Sequence, residues 1–272
     1  MSLIERALNQ VRGTPEGAND PRSARRFIRS ATIAALSGPP SRVFPRAEIA
    51  PVTSEDSCLL THLTDDYARR AYKVLRTRVL KRLNAGGWHS IAVTSAAPGE
   101  GKSLTAINLA LALAQDAATS VFLVDLDLQR PALARYLGMT HGPDLSNYLA
   151  GEAPIEKVIY DVGIERLAVL PNSQPLHNSS ELLRGDRMAE LVGFLEAETP
   201  KRVIVYDMPP ALVGDDVLAF SDSVDSIMMV VAEGKTSRVA LENARNVLGD
   251  MNLLGVVLNH ASQSKDEAYA YY

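Results

Sequence analysis

One stretch constrains this chain more than any other: residues 96–103, Ala-Ala-Pro-Gly-Glu-Gly-Lys-Ser, called the P-loop below. It follows the apolar run Ile91–Val93 and precedes the apolar segment Leu104–Ala110, which is typical of a glycine-rich turn between a strand and a helix. Backbone N–H groups in such a turn surround an anion, and the positive end of the following helix adds to the attraction. The spacing predicts that Lys102 reaches the outer phosphates of a nucleotide and that Ser103 binds Mg²⁺. The usual first glycine of the pattern is an alanine here.

Short apolar runs alternate with helical patterns from about residue 65 to residue 259. This alternation predicts an α/β fold, a P-loop NTPase with a doubly wound, mostly parallel sheet flanked by helices. The helical patterns cover residues 65–84, 131–138, 144–150, 181–198 and 236–250. Two of the apolar runs end in acids, which are Asp125 and Asp127 after the first and Asp207 after the second. Because open α/β sheets bind ligands at the carboxyl ends of their strands, we expect these acids beside the P-loop.

Three acids facing a lysine and a serine indicate a nucleotide–Mg²⁺ site. Phosphoryl transfer needs placement and charge neutralisation more than covalent help from the protein. In this interpretation Asp207 holds Mg²⁺ or its water. Asp125 and Asp127 exceed what the metal alone requires, so one of them is a candidate to accept the proton of an incoming hydroxyl. For any one acid a helix cap or a salt bridge is the plainer interpretation, but three acids at strand ends behind a P-loop favour chemistry.

Composition excludes several classes of function. The chain has 272 residues, a formal net charge of −4 and a pI near 5.8, so no overall basic field attracts nucleic acid. The single cysteine, Cys58, excludes an intramolecular disulfide framework and a cysteine-based zinc site. A reducing, cytoplasmic location is expected. No apolar run approaches the length of a membrane span and the N-terminus lacks a signal-peptide core, so we expect any membrane association to be peripheral and to depend on a partner.

The two ends of the chain differ from its centre. Residues 1–12 carry Ile4, Leu8 and Val11 at helical spacing, which predicts an amphipathic docking helix, with a frayed terminus as the alternative. Residues 13–57 are rich in glycine, proline and arginine and are predicted to be a flexible linker. The folded domain is expected over residues 58–261. A polar tail, residues 262–272, ends in three tyrosines, interpreted as an ordered aromatic docking tail or as a site of modification: Tyr269, Tyr271 and Tyr272.

These motifs together resemble the bacterial tyrosine kinases (BY-kinases) of capsule and exopolysaccharide loci. The P-loop has that family's form of the Walker A motif. Residues 124–131, Val-Asp-Leu-Asp-Leu-Gln-Arg-Pro, resemble its second Walker motif, and residues 206–210, Tyr-Asp-Met-Pro-Pro, resemble its Walker B motif. The tyrosine-rich tail matches the family's autophosphorylated cluster. The resemblance runs from about Asp65 to Tyr272, and the start of the chain is weakly similar to stand-alone kinases of exosortase-linked loci.

The resemblance implies autophosphorylation of the tail tyrosines by ATP with Mg²⁺, between neighbouring protomers. It assigns Asp125 as the base for the tyrosine hydroxyl and Asp127 to the metal with Ser103 and Asp207. Catalysis then depends on Lys102, Asp125 and Asp127. The expected nucleotide-binding residues are Pro98, Gly99, Glu100, Gly101, Lys102, Ser103, Leu104 and Asn259. The implied partners are a separately encoded membrane polysaccharide co-polymerase as activator, a cognate tyrosine phosphatase and other copies of the kinase domain.

The chain departs from the family at two places. The family usually has arginine at the position of Gln129. Its Glu-x-x-Arg-x-x-Arg motif before the P-loop, used in ring assembly, is here Arg70, Lys73 and Arg76. Residues spaced by three share one helix face, so three like charges replace the family's acid–base contacts. We expect weaker or different self-association unless a partner supplies acids.

Two other functions remain open from the sequence. One is a partitioning or septum-positioning ATPase of the deviant Walker class, which has a similar fold. That class carries a signature lysine five residues before the P-loop lysine, where this chain has Ala97, and it needs no terminal tyrosine cluster. The other is a non-catalytic nucleotide-binding regulator of polysaccharide assembly, which Gln129 and the altered helix motif keep open.

Overall fold

The structure is a computed structural model that describes residues 44–50, 59–61, 66–140, 142–198 and 201–261. The predicted N-terminal helix, most of the predicted linker and the tail with Tyr269, Tyr271 and Tyr272 lie outside the described residues. Of the part described, no helix is both long enough and apolar enough to cross a membrane.

The elements alternate between strand and helix along the chain. The helices are α1 Asp66–Gly86, α2 Lys102–Ala114, α3 Leu133–Leu137, α4 Leu145–Ala150, α5 Ser179–Arg184, α6 Asp186–Ala197, α7 Asp216–Phe220 and α8 Arg238–Leu248. The strands are β1 Ser90–Ser95, β2 Ser120–Asp125, β3 Tyr160–Asp161, β4 Leu167–Leu170, β5 Arg202–Asp207, β6 Ser226–Ala232 and β7 Leu253–Asn259. Two short 3₁₀ turns occupy Ile155–Lys157 and Ser221–Ser223.

The strands form one sheet in the order β3-β4-β2-β5-β1-β6-β7. Every neighbouring pair is parallel except β3 with β4. Strands β1 and β4 each have a neighbour on both sides and are buried along their whole length, which explains why their sequences are largely apolar. One hydrophobic cluster lies under α1, α2 and α3 on one face, and a second lies under α4 to α8 on the other. The predicted doubly wound fold is confirmed.

The short segment 44–50 departs from the prediction of a linker that extends to residue 57. Phe44 packs edge-on against Phe122, with ring centroids 6.1 Å apart. Ala47 is buried, and its N–H donates to the Asp161 carbonyl at 2.8 Å. Arg46 forms an ion pair with the Asp161 carboxylate at 2.8 Å. These seven residues therefore pack on the domain beside β3, because a partly buried aromatic ring and backbone hydrogen bonds hold them there.

The predicted long elements agree with the structure, except that residues 181–198 belong to two helices, α5 and α6, which Gly185 separates. Two small elements were not predicted. The two-residue strand β3 and the five-residue helix α7 are too short to show a period. Both depend on tertiary contacts: β3 pairs with β4 through Tyr160 and Val169, and α7 buries Phe220 against Tyr206 at a centroid distance of 4.8 Å.

Candidate active site

Strand register brings the predicted acids together. Asp125 at the end of β2 pairs in register with Asp207 at the end of β5. Asp207 in turn pairs with Val93 of β1, the strand that leads into the P-loop. Parallel strands end at the same edge of a sheet, so β2, β5 and β1 deliver both carboxylates and the P-loop to one place.

The P-loop has the backbone shape that an anion site requires. Helix α2 begins at Lys102, and its N-terminal end has no side-chain cap, so its first N–H groups remain directed to a ligand. Gly101, at φ 89°, adopts the left-handed conformation that favours glycine. A Cβ atom there would lie 2.0 Å from Asn259 Nδ2. That amide donates to the Glu100 carbonyl at 2.9 Å, which ties the end of β7 to the loop.

Glu100 does not point outward as a ligand for the nucleotide; its carboxylate turns inward and holds the loop itself. Oε2 accepts from the N–H groups of Ala96 and Ala97 at 2.9 and 3.1 Å. Oε1 accepts from the Thr236 hydroxyl at 2.6 Å. The residue is only 1% exposed. Glu100 therefore holds both the start of the P-loop and the loop after β6, a role that no pattern in the sequence predicts.

Lys102 lies between two acids. Its Nζ is 2.8 Å from Asp127 and 3.1 Å from Asp207, and it also donates to the Ser103 hydroxyl at 3.1 Å. Burial opposes the charge on the ammonium group, but the charges of Asp207 and Asp127 outweigh it and raise the pKa of Lys102. The lysine therefore carries its charge in this site and partly neutralises the two carboxylates.

Asp125 and Asp207 are fully buried carboxylates. Burial raises the pKa of Asp125 well above its usual range, and the nearby charge of Asp207 raises it further. Burial also raises the pKa of Asp207, while the charge of Lys102 opposes that rise. Asp125 Oδ2 accepts from the N–H groups of Ala132 and Leu133, both at 2.9 Å. These two hydrogen bonds hold the start of α3, and they leave Asp125 Oδ1 available to contact a ligand.

The residues present fit a nucleotide with a divalent cation. Among the described residues, Asp125 Oδ1 and Asp207 Oδ2 are buried side-chain oxygens with no hydrogen-bond partner. Buried acceptors of this kind are normally paired with a donor or a metal. Two such carboxylate oxygens suit Mg²⁺, which usually takes one or two carboxylates and completes its shell with phosphate oxygens and water. The described residues contain no group of three His, Cys, Asp or Glu side chains that could hold a metal ion.

A second polar cluster lies beside the acids and contains Gln129. Its Nε2 donates to the Ser179 hydroxyl at 3.0 Å and to the Asp216 carboxylate at 3.3 Å. The Ser179 hydroxyl also lies 2.8 Å from Asp216 Oδ1. Burial raises the pKa of Asp216. An amide thus joins α5 and α7 to the segment after β2, at the position where the resemblance leads us to expect arginine.

The structure gathers most of the predicted site residues at one edge of the sheet. They are Pro98, Gly99, Glu100, Gly101, Lys102, Ser103 and Leu104 of the P-loop and α2, Asp125, Asp127 and Asp207 after their strands, and Asn259 at the end of β7. Sequence reasoning missed Lys235 and Thr236, which follow β6 at the same edge. Lys235 Nζ donates to the Gly99 carbonyl at 2.9 Å. The available signal was a polar Lys-Thr pair within four residues of the end of a buried strand.

Comparisons with known proteins agree on the fold. Residues 88–268 match the ParA family model, described as NUBPL iron-transfer P-loop NTPase. The chain is also similar to the kinase domain of Escherichia coli tyrosine kinase ETK in a solved structure, at 26% identity and a TM-score of 0.70. That match covers 81% of this chain and 85% of the other. The fold is therefore that of a nucleotide-binding ParA-like P-loop NTPase.

Curated relatives identify the family more narrowly. The chain is 30% identical over 203 residues to tyrosine-protein kinase YwqD of Bacillus subtilis (strain 168). This match covers 74% of the present chain and 84% of YwqD. The chain is 29% identical over 208 residues to tyrosine-protein kinase etk of Escherichia coli (strain K12), covering 76% of this chain but only 28% of that longer protein. The P-loop and the paired acids agree with these matches. The chain therefore belongs to the bacterial tyrosine-protein kinases, an enzyme family built on the ParA-like P-loop fold.

Proposed function

We propose that this chain is an ATP-dependent tyrosine autokinase that phosphorylates Tyr269, Tyr271 and Tyr272 of its own C-terminal tail and so regulates exopolysaccharide or capsule polymerisation and export. The observation that supports the proposal most is the position of Lys102 between Asp127 and Asp207, directly beside the register pair Asp125 and Asp207. An ATPase needs to position only water, whereas this site has a further buried carboxylate with a raised pKa.

ATP with Mg²⁺ supplies the transferable phosphoryl group and much of the positive charge that the reaction needs. The backbone N–H groups of the P-loop would bind the phosphates, and Lys102 would contact the outer ones. Ser103, Asp127 and Asp207 would hold the cation, whose positive charge would neutralise the two acids that now pair with Lys102.

Asp125 is the proposed proton acceptor for the tyrosine hydroxyl. Burial raises the pKa of Asp125, which makes its carboxylate a stronger base than an exposed aspartate. The proton passes from the phenol to Oδ1, the phenol oxygen bonds to the γ-phosphorus, and the bond from that phosphorus to the bridging oxygen breaks. Asp125 is 0% exposed, so the tyrosine hydroxyl would reach Oδ1 only if the residues that bury this carboxylate moved aside.

The rival assignment, a deviant Walker ATPase, receives no support at Ala97. In that class a lysine at this position reaches the partner's nucleotide. Here the Ala97 N–H donates to Glu100, and the lysine that touches the loop, Lys235, comes from the same chain. The third assignment, a non-catalytic regulator, rests on Gln129 and on the altered helix motif. The amide of Gln129 contacts Ser179 and Asp216.

The proposed partners follow from the family. They are a separately encoded membrane polysaccharide co-polymerase as activator, a cognate tyrosine phosphatase and other copies of this chain. We place the protein in the cytoplasm, at the inner membrane through the activator.

Deleting residues 1–12 is expected to abolish binding to the activator and to leave nucleotide binding intact. Unchanged activator binding would refute the docking role of that segment.

Incubation with Mg²⁺ and γ-labelled ATP tests the proposal. Label is expected on the tail tyrosines, and it is expected to be lost in Lys102→Met and Asp125→Asn. Hydrolysis of ATP without label on tyrosine would support the ATPase, and nucleotide binding without either reaction would support the regulator.

A further inference from the structure

Helix α1 is strongly basic in an acidic chain. It contains seven basic residues against the single acid Asp66, whereas the whole chain has a formal net charge of −4. The basic residues are Arg69, Arg70, Lys73, Arg76, Arg78, Lys81 and Arg82. So high a charge density on one helix costs folding free energy through like-charge repulsion at i, i+3 and i+4, and this cost suggests a role in binding.

The outer face of α1 forms a defined stripe. Val79 and Leu83 are buried against the domain. The opposite side carries Arg70, Lys73, Val74, Thr77 and Lys81, at the spacing i, i+3, i+4, i+7 and i+11, and all five are exposed. We call these five residues the basic stripe. Val74 is 50% exposed, so the stripe offers apolar contact as well as charge.

We propose that the basic stripe binds the phosphorylated C-terminal tail of this chain. This inference rests on the proposed function, which supplies the phosphates. Each phosphotyrosine adds a charge of roughly −1.5 to −2, and Asp266 and Glu267 lie just before the tyrosines. Arginine and lysine bind phosphate through charge-assisted hydrogen bonds, while Val74 provides a surface for an aromatic ring.

The dimensions of the stripe and the tail agree. From Arg70 to Lys81 the helix rises about 16 Å at 1.5 Å per residue. The segment Asp266–Tyr272, if extended at about 3.3 Å per residue, spans about 20 Å. The stripe carries only the three basic groups Arg70, Lys73 and Lys81, fewer than the roughly four to eight that are typical of a lipid-binding basic cluster, and its single row suits an extended peptide. The stripe would therefore hold a tail after phosphorylation and keep it away from the P-loop.

A synthetic peptide tests this inference independently of kinase activity. The probe is a fluorescent peptide with the sequence of residues 262–272, prepared with three phosphotyrosines or with none, and added to phosphatase-treated full-length chain. Fluorescence anisotropy is expected to show at least about tenfold tighter binding of the phosphorylated peptide at low salt, a preference that falls as salt is raised. The variant Arg70→Gln/Lys73→Gln/Lys81→Gln is expected to lose that preference.

A matched control has the same change in net charge elsewhere: Lys157→Gln/Lys201→Gln/Arg238→Gln, all at exposed positions. It is expected to keep the preference. Equal affinity for the two peptides, or equal loss in both triple variants, would overturn the inference. Stripe-dependent binding to phosphatidylglycerol vesicles without a phosphopeptide preference would also overturn it and would assign the stripe to a membrane surface. Failure of the autokinase proposal shows separately, as absent label on the tail.

Discussion

The Thr236 hydroxyl donates a 2.6 Å hydrogen bond to the Glu100 carboxylate across 136 residues of sequence. The same carboxylate accepts from the N–H groups of Ala96 and Ala97. The P-loop is thus held in shape by its own glutamate, and the loop after β6 is attached to it. Fixing the loop before the nucleotide arrives reduces the entropy that binding must overcome.

Glu100→Gln is predicted to weaken nucleotide binding by about tenfold or more. The amide nitrogen that replaces one oxygen cannot accept a hydrogen bond, so buried N–H or hydroxyl donors lose their partner at a cost of about 1–3 kcal/mol. Titration with a fluorescent ADP analogue measures the effect. Thr236→Val should cause a smaller loss, and the exposed change Glu48→Gln should cause none. If Glu100→Gln bound nucleotide as tightly as the unchanged chain, the hydrogen bonds of the Glu100 carboxylate would have no role in nucleotide binding.

Lys102→Met is predicted to destabilise the fold as well as to abolish phosphate transfer. It leaves the buried acids Asp127 and Asp207 without their cation, and losing one partner of a buried ion pair costs about 3–5 kcal/mol. Because burial raises the pKa of Asp207, the cost should shrink as the pH falls through that raised pKa and the acid takes up a proton. Urea unfolding measured over a series of pH values from neutral to acidic gives the cost at each pH. A loss that is the same at every pH in the series, or no larger than that of Lys157→Met, would contradict this account.

Asp125→Asn is predicted to stabilise the chain near neutral pH while it abolishes label transfer. Burial raises the folded-state pKa of Asp125, so the folded chain holds this proton more tightly than the unfolded chain does. The associated stability is fully present below the ordinary pKa of an aspartate and is lost as pH rises through the raised pKa. Asparagine keeps an oxygen for the N–H groups of Ala132 and Leu133 but carries no charge.

Thermal unfolding across the acid-to-neutral range checks this sign. The variant should show a flatter pH dependence and a higher melting temperature than the unchanged chain above the raised pKa. Asp161→Asn is a useful contrast, because a hydrogen bond from the Gly163 N–H lowers the pKa of Asp161. That substitution should remove stability at neutral pH. If Asp125→Asn were less stable than the unchanged chain and its melting temperature depended on pH in the same way, burial of the ionised Asp125 carboxylate would not cost stability.

Gln129→Arg is predicted to stabilise the chain by about 1 kcal/mol at neutral pH, since a guanidinium placed beside the buried Asp216 carboxylate makes a charge-assisted hydrogen bond. Denaturant unfolding measures the gain. Label transfer should change little, because the amide of Gln129 already contacts Ser179 and Asp216. If the Gln129→Arg variant transferred label to tyrosine and the unchanged chain did not, the result would support a non-catalytic role for the unchanged chain.

Much of the site could be predicted because it follows the chain locally. Asp125 and Asp207 are the last residues of buried strands, and Asp127 lies two residues beyond one of them. Because parallel strands end at one edge of a sheet, all three acids are expected beside the P-loop. Contacts that depend on tertiary packing could not be predicted in this way. Thr236 reaches Glu100 only because β6 lies next to β1, and no period in the sequence reports strand order.

The same limit explains the segment that was interpreted as linker. Its prolines and arginines predict an unfolded stretch. Composition cannot show that the Phe44 ring packs against Phe122 or that Arg46 forms an ion pair with Asp161. Ion pairing at Lys102 was likewise not predicted, since the motif places this lysine on phosphates. In the structure described here it lies between two carboxylates, where a divalent cation is proposed to replace it.

In the proposed reaction the tail tyrosines accept the γ-phosphate. Intact-mass analysis after incubation with Mg²⁺ and ATP shows whether they do, with phosphatase-treated chain as the starting material and Tyr269→Phe/Tyr271→Phe/Tyr272→Phe as the matched control. We expect mass increments of one to three phosphates on the unchanged chain, none on Lys102→Met, and none on the triple phenylalanine variant. An autokinase that uses this tail is ruled out if the triple variant gains phosphate equally, or if ADP forms with no gain in mass on the unchanged chain.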